Sequence, residues 1–253
     1  MALTTNLTSY WKFDESSGNA ADSVWSNTAT NVNTVSFAAG KINNGATYDG
    51  ASDRRFEVSS GAGLNTVAIS VAFRMKSSDN NRYIIYNGGN NTDERMIIGN
   101  QSWFGTAGKL NVYFKNKTSP WPFSSTAGIY DWNRHHIVVT CDWTTIQGYI
   151  DNVLDINQAA SGSLTTTGRT TYIGIRYEWW LSYPEYKWQL DELWIWSRVI
   201  TQAEVTQLWN WGAGLQYPFI SSAIKTINWL AKASVKTVDW LVNASVKTVN
   251  WLA

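Results

Sequence analysis

Cysteine is almost missing from this chain. Cys141 stands alone, so no intrachain disulfide can form. It lies in the apolar run 137–141 and reads as a buried, inert thiol. Histidine is nearly as scarce. His135 and His136 are consecutive, and neighbours on a strand face opposite ways, so they cannot share one metal ion. Proline occurs only 4 times against 18 glycines, which fits short strands joined by many turns. No run of about 18 apolar residues exists, so nothing reads as a membrane-inserted span. An excess of one charge is missing too. Lys+Arg of 20 against Asp+Glu of 19 leaves +1, which excludes the strong basic field that nucleic acid would require. Residues 1–7 are polar and lack the apolar stretch of a secretory leader. A surface or extracellular location stays open through release by lysis, delivery on an assembled particle, or a leader trimmed from this sequence.

Catalytic signatures are missing as well. No glycine-rich phosphate loop follows a strand. No Ser-His-Asp or Cys-His arrangement is supported. Glycosidases need two carboxylates that flank the scissile bond, and the adjacent acidic pair of the last strand, Asp191-Glu192, is expected to point to opposite faces. The chain does not read as an enzyme.

What is present is β-strand. Alternating or β-branched segments near 9–14, 66–75, 82–86, 95–98, 109–114, 135–141, 145–151, 170–175 and 186–196 are separated by Asn-Gly, Gly-Gly and Ser-Gly turns. The last of these runs into a helix signal. Leu190, Glu192, Trp194 and Trp196 fall on one face at period two, with Asp191, Leu193 and Ile195 on the other. Thr201 stands three residues before Glu204, a capping box. Ala203, Leu208 and Trp211 give the helix an apolar side, and Gly212 is placed to end it.

The segment 190–210 closely resembles the C-terminal signature of laminin G-like domains of the concanavalin A-like lectin/glucanase superfamily. Three further blocks, 9–18, 40–50 and 134–142 with 147–152, resemble the family in the same order. The resemblance spans about residues 6–218. It implies an all-β, two-sheet antiparallel jelly-roll sandwich with one short helix near 201–211. It also implies a non-catalytic recognition or adhesion role, with carbohydrate as the partner. Calcium is the one cofactor it leaves open. Asp49, Asp53, Asp79, Asp93 and Glu94 lie in or near loops, but no spaced motif joins them, so no metal ligand is assigned.

Candidate ligand contacts cluster in the loop 176–188, with six aromatics in thirteen residues. Aromatic faces stack on the CH faces of sugars, which points to Arg176, Tyr177, Glu178, Trp179, Trp180, Tyr183 and Tyr186. Trp103 and Trp121 mark a second aromatic loop cluster. The alternative for both is packing on the sandwich or on a neighbouring subunit.

Sandwich residues 1–218 are expected to give way at 219–253 to a tail of period eleven, marked by Trp229, Trp240 and Trp251. A strict repeat of this length cannot bury its apolar face alone. As a helix it sets Ile224, Ile227, Val235, Val238, Val246 and Val249 along a right-handed coiled-coil seam. The β-branched Val-Lys-Thr-Val core argues for strands instead. Either form implies a homo-oligomer, as a trimer or a filament, so the alternative role is a structural cell-surface or virion subunit (tail, fibre or decoration).

The tryptophans are unusual in number, 16, and in position. Asp142-Trp143, Asn228-Trp229, Asp239-Trp240 and Asn250-Trp251 occupy slots where hairpin chemistry calls for Asp-Gly or Asn-Gly. Trp25, Trp132, Trp194 and Trp211 also stand at glycine positions of the resemblance. Two explanations remain open: tryptophan selected for stacking or assembly, and a termination codon that the source reads as glycine. Independently of that choice, deleting residues 222–253 is expected to leave a soluble, folded monomer. Light scattering behind a sizing column, with and without the tail, checks it.

Overall fold

The computed structural model describes residues 2–50, 53–59, 66–79, 82–88, 95–99, 105–115, 122–142, 144–162, 168–178, 181–182 and 186–218. The eleven-residue repeats and every assembly residue named in them lie outside the described residues. Residues 1–215 form one compact unit.

Its strands begin with β1 (Leu7–Trp11), β2 (Thr30–Val32), β3 (Ser36–Ala39), β4 (Asn44–Asp49), β5 (Arg55–Val58) and β6 (Ile69–Lys76). Next come β7 (Tyr83–Asn87), β8 (Met96–Gly99), β9 (Lys109–Phe114), β10 (Phe123–Gly128), β11 (Arg134–Cys141) and β12 (Thr145–Ile150). The rest are β13 (Val153–Ala159), β14 (Thr171–Ile173), β15 (Tyr177–Glu178), β16 (Leu181–Ser182) and β17 (Lys187–Trp196), before helix α1 (Gln202–Trp209). Among the described residues two antiparallel sheets carry the fold. One runs β13-β12-β11-β6-β17-β4-β3, with β1 on β17; the other runs β10-β9-β8-β7-β14-β5-β2. This is the expected antiparallel sandwich with one short helix. Eight strands, β2 to β5, β10, β13, β15 and β16, are not marked by alternation. They are short or rich in polar and small residues, and pairing completes them, locally in the hairpins β3–β4, β12–β13 and β15–β16 and at longer range for β2 and β5.

Strand β6 shows how the sequence builds the layers. Ile69, Val71, Phe73 and Met75 enter the core between the sheets. Ser70 and Arg74 point the other way and meet the chain that covers this sheet. Ser70 Oγ donates to Arg198 O at 2.7 Å and accepts from Ile200 N at 2.9 Å. Arg74 reaches the C-terminal end of α1, donating to Leu208 O at 3.4 Å, Trp209 O at 3.3 Å and Gly212 O at 3.5 Å. A guanidinium there satisfies carbonyls that a helix end leaves open and complements the helix dipole. The start of α1 carries the capping box: Thr201 Oγ1 accepts from Glu204 N at 3.3 Å, and Glu204 Oε2 accepts from Thr201 N at 2.8 Å. Arg198 clamps the same carboxylate at 2.8 and 2.6 Å.

Three expectations about this region are corrected. The helix presents Val205 and Leu208 inward, but Trp211 is 97% exposed. The helix ends earlier than Gly212, because Asn210 (φ 46) and Trp211 (φ 53) both turn left-handed. A residue bulkier than glycine or asparagine is rare there, at a cost of about 1–2 kcal/mol. Strand parity also shifts. A bulge between Asp191 and Trp194, with Glu192 at φ 55, interrupts the alternation. Leu190, Leu193 and Ile195 therefore share the core, while Trp194 and Trp196 stack on the other face. Asp191 and Glu192 both end on that outer side, in the field of Arg74. Cys141 is buried as expected.

Replacing Arg74 by alanine is expected to destabilise the domain by about 3–5 kcal/mol, because buried carboxylates and helix-end carbonyls lose their cation. Urea unfolding of the variant measures this.

Candidate functional site

The outer face of the second sheet gathers tyrosines. The run Tyr83-Ile-Ile-Tyr86 carries a register shift between Tyr83 and Ile85. Both isoleucines thereby enter the core, and both tyrosines cluster with Ile97 on the opposite face. Cross-strand pairing extends this into a row. Thr30 pairs with Glu57, Glu57 with Tyr172, Tyr172 with Tyr86, Tyr86 with Ile97, and Ile97 with Tyr113. Side chains at directly opposed positions share a face. Tyr83, Tyr86 and Ile97 are buried and form a floor, while Tyr113 and Tyr172 are half-buried and pack against it. Tyr172 stacks on Tyr86 with centroids 6.0 Å apart and planes 26° apart. Beside Tyr172, Arg55 Nε holds Glu57 Oε1 at 2.8 Å, and a third of the Glu57 side chain, 32%, stays exposed.

Arg176 crosses this floor. Its guanidinium lies 5.7 Å over the Tyr83 ring and 5.5 Å over the Tyr86 ring, and it donates to Tyr83 Oη at 3.3 Å. A desolvated contact of this kind stabilises by about 2 kcal/mol. Gly174 makes the approach. Its φ is +95, and a Cβ there would sit 2.2 Å from the Tyr48 ring, so only glycine fits.

The sequence candidates divide accordingly. Arg176 is on the tyrosine face but buried at 2%. It acts as part of the floor. Tyr177 and Glu178 form β15, paired with Leu181–Ser182 of β16 directly after Arg176. Tyr186 does not belong to an exposed loop. It is fully buried in the main core, and its hydroxyl donates to the carbonyls of Lys76 at 2.9 Å and Gln189 at 3.1 Å. Its position just before β17 draws it inward, so it offers no face to a ligand. Trp103, Trp121, Trp179, Trp180 and Tyr183 lie outside the described residues. Tyr86, Tyr113, Tyr172 and Glu57 were missed. They come from four separate strands, β7, β9, β14 and β5, and only the sheet register lines them up.

Two titratable clusters lie elsewhere. His135 sits between two carboxylates, with Nδ1 2.7 Å from Asp151 Oδ2 and Nε2 3.0 Å from Asp131 Oδ1. With both ring nitrogens engaged, the imidazole has no lone pair free for general-base work. These bonds, led by the one to Asp151, raise the His135 pKa although burial opposes it. His136 faces the other way, stacked on Trp209 at 6.0 Å. Burial, then Arg74, pushes its pKa down to about 3. No group of three or more metal-ligating side chains occurs among the described residues. Asp191 and Glu192 are almost fully buried at 0% and 2%. Asp191 Oδ2 accepts from Lys41 N at 2.5 Å and Ile42 N at 3.3 Å. Glu192 accepts from the Tyr10 hydroxyl. Burial raises the Asp191 pKa to about 6, yet neither carboxylate reaches an open cleft.

The comparisons with known proteins fit this architecture. A family model of the concanavalin A-like lectin/glucanases superfamily, of laminin G type, matches residues 49–206. No curated protein matches the chain. Among solved structures, domain 4 of the extracellular arabinanase AbnA from Geobacillus stearothermophilus, in complex with arabinotriose, superposes with a TM-score of 0.61 at 20% identity. That alignment covers 80% of this chain and 97% of that domain. The binding domain of Paraclostridial Mosquitocidal Protein 1 gives 0.65 at 13% identity, covering 83% of this chain and 53% of that one. Trypanosoma rangeli sialidase in complex with sialic acid gives 0.59 at 10% identity, covering 84% of this chain and 34% of that one. The chain thus spans the whole arabinanase domain, but about half of the toxin domain and a third of the sialidase. At these identities the likeness is one of fold.

The His135 cluster predicts a pH dependence of stability. A raised folded pKa gives a contribution that is complete below the ordinary histidine value of 6.5 and is lost as pH rises through the folded value. Replacing His135 by glutamine is therefore expected to cost stability below that pH and progressively less above it. Thermal melts of both proteins across pH 5 to 9 check it.

Proposed function

Because the chain belongs to the concanavalin A-like lectin/glucanases superfamily, we propose that it serves as a non-catalytic recognition module for carbohydrate, displayed on a cell or particle surface. The observation that carries this reading is the tyrosine row. Tyr172, partly exposed and backed by Tyr86, would set its ring against the CH face of a sugar. Glu57 stands beside it as a hydroxyl acceptor, fixed by Arg55. A stiff floor lowers the ordering cost of binding. The arabinanase domain that this chain covers almost completely was solved with arabinotriose, which makes arabino-oligosaccharides the first ligands to try. The loop tryptophans and Tyr183, with Tyr177 and Glu178, remain the sequence-based candidates for further contacts. The non-catalytic part is supported by the burial of Asp191 and Glu192 beneath the outer covering of the first sheet, where neither can flank a glycosidic bond.

A second role runs alongside. The eleven-residue repeat favours an assembly element at 219–253, so the sandwich would be the knob of a structural surface or virion subunit. No helix among the described residues is long and apolar enough to cross a membrane.

A glycan array that includes arabino-oligosaccharides tests the carbohydrate reading. Binding is expected, without release of reducing sugar. Tyr172→Ala is expected to weaken it about 10- to 100-fold, in line with stacking of bases on aromatic rings, while Tyr172→Phe keeps it. An array blank at high avidity, or hydrolysis of any bound polysaccharide, would overturn the reading.

A further inference from the structure

Two tryptophans occupy backbone conformations suited to glycine. Trp132 has a φ of 69, and Trp211 a φ of 53 with ψ 31. Bulky side chains rarely enter this region, because Cβ crowds the neighbouring carbonyl, whereas glycine enters freely. Neither residue is held there by burial: Trp132 is 48% exposed and Trp211 97%. The setting of Trp211 is telling. It lies between Asn210 at φ 46 and Gly212 at φ 83. Asparagine and glycine are the residues that tolerate three left-handed steps in succession, and tryptophan is out of place between them.

Trp132 and Trp211 each follow an Asx residue, Asp131 and Asn210. In the first turn the backbone supplies the closure, Trp132 N donating to Ser77 O at 3.2 Å and Asp131 Oδ1 accepting from Asn133 N at 2.9 Å. The same dipeptide recurs at Asp142-Trp143 and at each tail repeat, Asn228-Trp229, Asp239-Trp240 and Asn250-Trp251. The β11–β12 hairpin closes from Asp142 N to Thr145 O at 3.1 Å. That leaves positions 143 and 144 as a two-residue connection, for which the favoured turns require positive φ at the first residue and commonly use Asp-Gly.

We propose that positions 132 and 211 are glycine in the protein as its source makes it. A termination codon reassigned to glycine is then written as tryptophan in this sequence. Positions 143, 229, 240 and 251 follow the same rule by their Asx-Trp pattern. One consequence is functional. The cleft beside α1, where Trp211 adjoins Asn152, Thr206 and Gln207, loses its most exposed ring and keeps only Trp209 as an aromatic lining. The carbohydrate reading is independent of this inference, because it stands on tyrosines.

Peptide mass spectrometry of the protein recovered from the organism that encodes it decides the matter. Peptides covering 132 and 211 are expected to carry glycine masses, and tryptophan at either position overturns the inference there. Thermal melts of the recombinant chain add a second readout. Trp132→Gly and Trp211→Gly are each expected to raise Tm by about 2–4 °C, and to exceed Trp132→Ala and Trp211→Ala. Alanine keeps the Cβ and hence the strain. Alanine variants equal to or better than glycine, or a fall in Tm with glycine, would overturn the conformational argument.

Discussion

Arg74 sits where three parts of the sandwich meet. It rises from the middle strand of the first sheet into a nearly dry space, 2% exposed. Burial pulls its pKa down, and Asp191 and Glu192 act against that. Above it the carbonyls of Leu208, Trp209 and Gly212 accept its protons, and the Trp209 ring lies 5.5 Å from its carbon. A guanidinium removed from water without such partners would cost several kcal/mol. The helix, the bulged strand and the sheet must therefore come together as one unit. His136, beside Arg74, is held neutral for the same reason: a second cation there would go uncompensated. Even the passing backbone is constrained. A Cβ on Gly214 would lie 2.9 Å from Ile42 and 3.0 Å from Arg74.

Two bulges turn a regular β pattern into this particular molecule. At Glu192 the extra residue sends two consecutive carboxylates outward and keeps Leu190, Leu193 and Ile195 in the core. Near Ile84 it sends two isoleucines inward and aligns Tyr83 with Tyr86 on the far side. One residue of slip changes which face every later side chain occupies. The anchoring of the outer helix and the tyrosine floor both depend on these irregularities.

A similar fold occurs in an arabinanase domain solved with arabinotriose, in the binding domain of a mosquitocidal protein and in part of a sialidase, so function must be argued from the surface. Here the two aromatic inventories separate. The tyrosines lie in ordinary strand conformations on a rigid sheet, aligned by register. Trp132 and Trp211 lie at turn positions with left-handed backbone. Rigid aromatic rings on a sheet are what a recognition surface needs. A bulky ring on a strained turn adds surface without a supporting shell.

The sequence by itself determined the class of fold and much of its local detail. Alternation located most of the central strands, the Thr201–Glu204 spacing predicted the capping box, and the apolar run around Cys141 predicted its burial. These features depend on residues a few positions apart, so they are legible in order. The tertiary structure decided which aromatic belongs to which surface. Tyr186 reads as a loop residue in sequence but enters the core, because β17 draws it beneath Tyr48 and Lys76. Arg176 reads as a ligand contact but joins the tyrosine floor, packed across the Tyr83 and Tyr86 rings, because Gly174 turns the chain close to Tyr48. Tyr172, Tyr86 and Tyr113 come from segments far apart, and only hydrogen-bonded register sets them in one row. Pairing between distant strands is settled by the whole core at once, and no local pattern encodes it.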